Sequence, residues 1–196
     1  ATLTRLLELL EAIGRRAAYL ALLLQYPQAL GQVARIAAAS SWAADYLLRH
    51  PILLDELLDP RLLHMAPDWP GFRQQLAEQT DALEPDTERQ MDLLREAHHA
   101  QVFRLVAQDI AGLLTVEKLS DHLSELADLV VDRAIALAWR KLPVRHRAQP
   151  AFAVIGYGRL GGKELGYASD LDLVYLFDDS HPDAAGIYAK LAPRLN

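Results

Sequence analysis

The sequence predicts a mainly α-helical protein: a helical bundle over residues 1–142, then the opening of a small α+β domain over 143–196. Three observations carry this. Five of the ten glycines fall between Gly156 and Gly166, whereas the first 150 residues hold four. Up to Leu142, apolar residues recur at three and four residues, the period of a buried helix face. After Pro143 and Pro150 the pattern changes to two short β-rich runs, AFAVIGYG and DLDLVYLF, bounded by glycines.

Each element has its own local reason. LTRLLELLEAIGRRAAYLALLL repeats Leu, Ile and Ala at helical spacing. Pro27 opens a second helix, PQALGQVARIAAA, at a position where a missing amide hydrogen costs nothing. Ser40 or Ser41 caps a short third helix through Tyr46 to Arg49. Pro51 starts ILLDELLD and Pro60 stops it. Pro60, Pro67 and Pro70 mark a loop, and GFRQQLAEQTDAL reads as the next helix. A long helix follows Pro85, from DTERQ to AGLL. The last of this half, VEKLSDHLSELADLVVDRAIALAWRKL, has Thr115 as N-cap and cations in its final turn, complementing the helix dipole. In the carboxyl part, PDAAGIYAKLAPRL reads as a helix interrupted by Pro193. Two strands and a piece of helix do not make a stable sheet domain, so this part reads as truncated.

Composition narrows the classes. The 196 residues are 52% hydrophobic and 23% charged, which supplies apolar area to offset chain entropy and excludes disorder as the dominant state. A net charge of −6 argues against a general nucleic-acid binder. The absence of cysteine excludes a disulfide scaffold, thiolate zinc sites and cysteine nucleophiles, and fits a cytoplasmic location. No membrane span is expected, because AAYLALLL falls far short of the roughly 20 residues required. The amphipathic amino end carries acids and does not read as a signal peptide. A chain beginning at Ala rather than Met points to a longer polypeptide.

The glycine-rich stretch admits two readings. Gly156-x-Gly158-x-x-Gly161 after a strand, with Asp178 22 residues beyond Gly156, matches a dinucleotide fingerprint. The crossover argues against it. Nine residues separate Gly161 from the run beginning at Leu171, whereas a parallel βαβ unit needs about a dozen or more. The second reading starts from Ser169-Asp170-Leu171-Asp172-Leu173. Along a strand, Asp170 and Asp172 point to one face and Leu171 and Leu173 to the other. Paired carboxylates repel unless a cation sits between them, and hard divalent ions such as Mg²⁺ prefer oxygen ligands and also coordinate substrate phosphates. A glycine turn just upstream lets backbone amides approach a triphosphate. Together these are the parts of metal-assisted nucleotidyl transfer. An isolated Asp-x-Asp is most simply a solvated strand edge; the partner strand, glycine turn and apolar flanks favour the chemical reading.

The string IGYGRLGGKELGYASDLDLVYLFDD resembles the nucleotidyltransferase motif of the bifunctional glutamine synthetase adenylyltransferases/adenylyl-removing enzymes. The resemblance extends upstream through LLEAIGRRAAYLALLLQYPQAL, SSWAADYLLRHPILLDELLDP and DIAGLLTVEKLSDHLSELADLVVDRAI, so it covers most of the chain. It implies that residues 143–196 begin a nucleotidyltransferase domain and that 1–142 form a scaffold. GYASDLDLVYL, preceded by RRAAYL and RHPILLDELLD, looks more like the carboxyl-terminal, adenylylating half than the deadenylylating one. The implied reaction is transfer of AMP from ATP to a tyrosine of glutamine synthetase, with Mg²⁺, under control of glutamine and the PII signal protein. Position by position, the resemblance makes Asp170 and Asp172 the catalytic, metal-binding pair. It makes Gly158, Arg159, Gly161, Gly162 and Lys163 the phosphate-binding turn, and sets Ser169 against the metal site.

Three departures stand out. Gly158-Arg159 has the family spacing with a basic second residue, whereas Gly161-Gly162 has the family residues with only seven positions before Asp170. Ala168 replaces a usual glycine and restricts the turn. Related enzymes carry a third carboxylate on a later strand, and 24 residues follow Asp172, with Asp178, Asp179 and Asp183 their only acids. The chain by itself is therefore expected to be inactive.

The remaining candidates read as structure. His98 and His99 are adjacent on a helix and face different directions. His50, His64, His122, His146 and His181 are scattered. Trp42, Trp69 and Trp139 read as packing anchors. Glu117, Asp121, Glu125 and Asp128 form a solvated stripe. No Gly-Lys-Ser/Thr occurs, which disfavours simple ATP cleavage. The alternative function is a helical interaction module, with the two strands serving only as structure.

Overall fold

The computed structural model describes residues 4–8, 11, 21, 24–50, 53–54 and 64–195. The chain is mainly helical with a small antiparallel sheet of two strands among the described residues. The expected helices over LTRLLELLEAIGRRAAYLALLL and ILLDELLD lie largely outside the described residues. None of the described helices is long and apolar enough to cross a membrane. Packing divides the chain into two compact units, residues 1–67 with 100–115 and residues 68–99 with 116–196.

In the first unit, α1 (Pro27–Ala39) begins with proline in its first turn, as the sequence predicts. The helix α2 (Ser41–Arg49) is capped by Ser40, whose hydroxyl accepts the amide of Ala43 at 3.1 Å. Val33, Ile36 and Ala37 on α1 and Ala43, Ala44, Tyr46 and Leu47 on α2 are buried. Their spacing is the three-and-four period read in the sequence. Tyr46 packs its ring 5.8 Å from that of Phe103.

The second unit holds α3 (Trp69–Ala82), the first part of α4 (Thr87–Ile110), and α5 (Val116–Arg140). Helix α3 starts earlier than the loop reading of Pro67–Pro70 allowed. Asp68 caps it by accepting the amide of Gly71 at 3.0 Å, which turns Pro70 into a first-turn residue. Helix α4 stops at Ile110, short of the predicted Leu114. Gly112 turns the backbone to φ +72°, and the amide of Leu113 reaches back to the carbonyl of Gln108. Leu76, Leu94 and Leu137 bring α3, α4 and α5 together. Beside them, buried Arg133 donates to the hydroxyl of Thr80 at 2.6 Å and to the carboxylate of Asp81, which also binds Arg140. Desolvation pushes the Asp81 carboxyl up, but the two guanidiniums outweigh it and hold it below the ordinary range.

Strands β1 (Phe152–Tyr157) and β2 (Asp172–Phe177) follow. They pair antiparallel, Phe152 opposite Phe177 and Tyr157 opposite Asp172. The antiparallel pairing excludes the parallel crossover that the dinucleotide reading required. One sheet face carries half-buried Phe152, Val154, Leu173 and Tyr175. The other exposes Ile155, Val174 and Leu176 alongside Tyr157 and Asp172. Between the strands lies the single turn α6 (Gly158–Gly161), and after them α7 (Ala184–Leu191) with a 3₁₀ turn (Ala192–Arg194) where Pro193 ends the helix. Trp139 and Leu142 form one apolar cluster with Ala184, Ile187, Tyr188 and Leu191. Tyr188 stacks at 5.4 Å on Trp139 and at 4.9 Å on Phe177.

Candidate active site

The glycine turn is pinned from below by two leucines. Leu160 and Leu165 are buried, while Gly158, Arg159, Gly161, Gly162 and Lys163 are exposed above them. Gly158 has φ +55°, and a Cβ there would lie 2.6 Å from Oδ2 of Asp172. A Cβ on Gly161 would lie 2.4 Å from the backbone oxygen of Gly156. Glycine is thus required at Gly161 by close approach to backbone and at Gly158 by its left-handed backbone, while a Cβ at Gly158 would also displace the Asp172 carboxylate. Lys163 adopts φ +53°, a conformation that costs an L-residue about 1–2 kcal/mol.

The turn uses several of its own amides. Gly162 donates to the carbonyl of Gly158, Lys163 to that of Leu160 and Glu164 to that of Arg159. The side chain of Arg159 donates to the hydroxyl of Ser169 at 3.3 Å, and the same hydroxyl accepts the amide of Gly166 at 2.9 Å. Ser169 therefore fastens the loop after the turn to the turn itself. The amide of Ser169 also closes onto the carbonyl of Gly166. This tight turn, made with Ala168 inside it, delays the start of β2.

As a result β2 begins at Asp172, with Asp170 exposed in the segment just before it. Strand alternation governs Asp172 onward and not Asp170. Leu171 is exposed, so it does not share the half-buried face of Leu173. The structure brings Asp172, Gly158 and Tyr157 together by register, and Arg159 and Ser169 by hydrogen bond. Among the described residues no group of three or more His, Asp or Glu side chains is arranged to hold a metal ion. Asp170 and Asp172 supply exposed, hard oxygen donors of the kind Mg²⁺ takes, and side-chain-free Gly158 leaves room for the Asp172 carboxylate.

Lys163 is within electrostatic reach of α5. Asp128 on that helix is held above the ordinary carboxylate range by desolvation first, then by Glu125 and Asp132, while Lys163 and Arg73 pull it the other way.

A second constellation was not read from the sequence. The side chain of Asp179 is 7% exposed and accepts from His146 Nε2 at 2.6 Å, Arg147 at 3.2 Å and the Tyr188 hydroxyl at 2.9 Å. The amide of His181 donates to its other oxygen at 3.0 Å. The His146 bond, then the His181 amide, hold the Asp179 carboxyl well below the usual range. The Tyr188 hydroxyl in turn accepts the amide of Ala151, which anchors the start of β1. No spacing rule links residues 146, 179 and 188, so the sequence held no signal for this node. His122 accepts from the Trp69 indole at 3.3 Å, a packing role, and His98 is pushed down by burial and then by His99.

With this geometry in hand, comparison with known proteins is decisive. Residues 30–195 match the family described as glutamate-ammonia ligase adenylyltransferase. The chain belongs to that family. Across 195 residues it is 67% identical to the bifunctional glutamine synthetase adenylyltransferase/adenylyl-removing enzyme of Aromatoleum aromaticum, covering 100% of this chain and 21% of the relative. The protein of the same name from Chromobacterium violaceum is 58% identical, covering 100% of the chain and 22% of the relative. That of Neisseria meningitidis serogroup B is also 58% identical, over 99% of the chain and 22% of the relative. The chain thus spans about a fifth of the length of these curated relatives. The family is one of adenylyltransferase enzymes, as the names of its members state.

Proposed function

We propose that this chain supplies a helical scaffold, residues 1–142, and the opening of a nucleotidyltransferase domain, residues 143–196, to a cytoplasmic enzyme. That enzyme transfers AMP from ATP to a tyrosine of glutamine synthetase. The observation that carries the reading is the seating of the Asp172 carboxylate against Gly158 in a chain of this family. It joins the Asp172 carboxylate to the glycine turn, with Asp170 two residues upstream in the exposed segment that leads into β2.

Asp170 and Asp172 would hold Mg²⁺ through their oxygens. When bound, Mg²⁺ supplies neutralisation of phosphate charge and a lowered pKa for an oxygen in its shell. The exposed turn would receive the triphosphate of ATP. Because Gly162, Lys163 and Glu164 donate their amides within the loop, phosphate contacts fall to amides earlier in the turn and to the side chains of Arg159 and Lys163. Ser169 holds Arg159 at the site and so acts as a positioning residue. The target tyrosine oxygen attacks the α-phosphorus, forming the new P–O bond as the bond to pyrophosphate breaks. The tyrosine proton leaves to solvent or to a carboxylate.

The reading assigns the chain to the adenylylating half, on the motif GYASDLDLVYL and the segments that precede it, with PII and glutamine as controlling partners. It further assigns no transfer activity to the 196 residues alone, since a third carboxylate on its own strand is absent among the described residues. The test is one of direction. Unmodified and pre-adenylylated glutamine synthetase are each incubated with a polypeptide of the relatives' length that contains this chain. AMP gain that depends on Arg159 supports the assignment. AMP removal that depends on it places the chain in the deadenylylating half.

A further inference from the structure

We infer that a cavity beside the Asp179 node is a binding site for a small phosphate-bearing anion. This cavity is a shallow depression, open to solvent and about 630 Å³ in volume, lined by Glu84, Arg140, Arg145, His146, Arg147 and Ala148. None of these residues belongs to the glycine turn or to the Asp170–Asp172 pair.

The charge balance sets the sign of the ligand. The lining residues and the ion-pair network they join hold five cations, the lining Arg140, Arg145 and Arg147 with Arg133 and Lys141 behind them, and three carboxylates. Asp81 is shared by Arg133 and Arg140, Glu84 lies 3.7 Å from Lys141, and Asp179 is shared by Arg147 and His146. Five cations against three anions leave a surplus of two positive charges, in a chain whose net charge is −6. A local excess of one sign within a concave surface focuses the field and concentrates the opposite ion there.

The donor chemistry sets the ligand class. Three of the six lining side chains are guanidiniums, whose planar forks match phosphate oxygens in pairs. Arg140 and Arg147 are fixed by Asp81 and Asp179, so donors they do not use are already oriented. Arg145 is exposed and makes no ion pair or hydrogen bond with the described residues, which leaves its whole fork for a ligand. The one lining ring, His146, is already stacked at 4.3 Å on His181 and meets Trp139 edge-on at 6.2 Å. No lining ring is left to sandwich a nucleobase. Recognition therefore rests on the phosphate group and not on a base.

The experiment is a titration of the whole chain with inorganic phosphate, in magnesium-free buffer, followed through the arginine side-chain NεH resonances. The expected result is a saturable shift of the Arg145 and Arg147 signals. Arg145→Ala should weaken binding about tenfold or more, and Arg145→Lys by less, because charge is kept and the fork is lost. An unchanged unfolding midpoint, expected for so exposed a residue, confirms that the variants fold. Arg73→Ala, which removes an exposed guanidinium on α3 that does not line the cavity, should leave the Arg145 and Arg147 shifts as they are in the parent. The inference is overturned if chloride at matched ionic strength reproduces the shifts. It is equally overturned if Arg159→Ala abolishes binding while Arg145→Ala does not, which would assign the phosphate to the glycine turn.

Discussion

The carboxylate of Asp172 occupies the space that a side chain on residue 158 would fill, with only 2.6 Å between its Oδ2 and the position of a Cβ there. That contact ties the first residue of β2 to the first residue of the turn after β1. It makes the shape of the turn and the placement of the carboxylate a single structural fact.

Gly158→Ala therefore has two expected effects. The left-handed backbone costs about 1–2 kcal/mol with a Cβ present. The Asp172 carboxylate must also move aside, which by the usual sensitivity of catalysis to misplacement lowers transfer on the order of a hundredfold. Urea unfolding measures the first and initial rates of AMP transfer the second. A fully active Gly158→Ala variant would separate the turn from the chemistry.

Tyr188→Phe removes one oxygen and breaks two bonds. Asp179 loses a donor, and the amide of Ala151 loses its acceptor. Tyr188 is 2% exposed, so water does not replace the lost partner. The expected loss is about 1–3 kcal/mol in chemical denaturation, with the aromatic stack on Trp139 retained. A neutral substitution would show that the node does not anchor β1.

The acid limb of stability is expected to run through the same node. Asp179 is depressed in the folded state, through His146 first and then the His181 amide, and Asp81 is depressed by its two arginines against the pull of desolvation. A depressed carboxyl contributes stability that is complete above its unfolded value, about 3.9, and is lost as pH falls through its folded value. Urea midpoints should thus decline as pH drops below about 4. Asp179→Asn should start from a lower midpoint at neutral pH and decline less steeply. Parallel curves for parent and variant would contradict this.

Leu137 is 2% exposed where α3, α4 and α5 meet, against Leu76 and Leu94. Leu137→Ala should cost about 2–5 kcal/mol, the sum of lost transfer energy and the cavity left behind. Thermal or urea unfolding reads the loss directly, and a change below 1 kcal/mol would mean that this packing does not hold the second unit together.

Local signals were legible where local chemistry decides. Pro27 and Ser40 place the starts of α1 and α2, because a missing amide and a capping hydroxyl act within one turn. The Asp68 cap obeyed the same rule, but three nearby prolines disguised it as loop. Gly112 carried the stop of α4 in the same way, through its positive φ. The glycine turn and the Asp-x-Asp segment were visible as a motif. The late start of β2 was not, since it depends on Ser169 bonding back to Gly166 and Arg159. The Asp179 node depends on partners 33 residues upstream and nine downstream, brought together by the packing of Trp139 on Tyr188. No periodicity encodes such a meeting.

The most direct test of the central claim is the intact mass of glutamine synthetase after incubation with Mg²⁺-ATP and a polypeptide of the relatives' length that contains this chain. An Asp170→Asn/Asp172→Asn variant serves as control. The account predicts an AMP-sized increment with the parent and none with the variant. An increment that persists without the two carboxylates, or its absence with a folded parent, would contradict it.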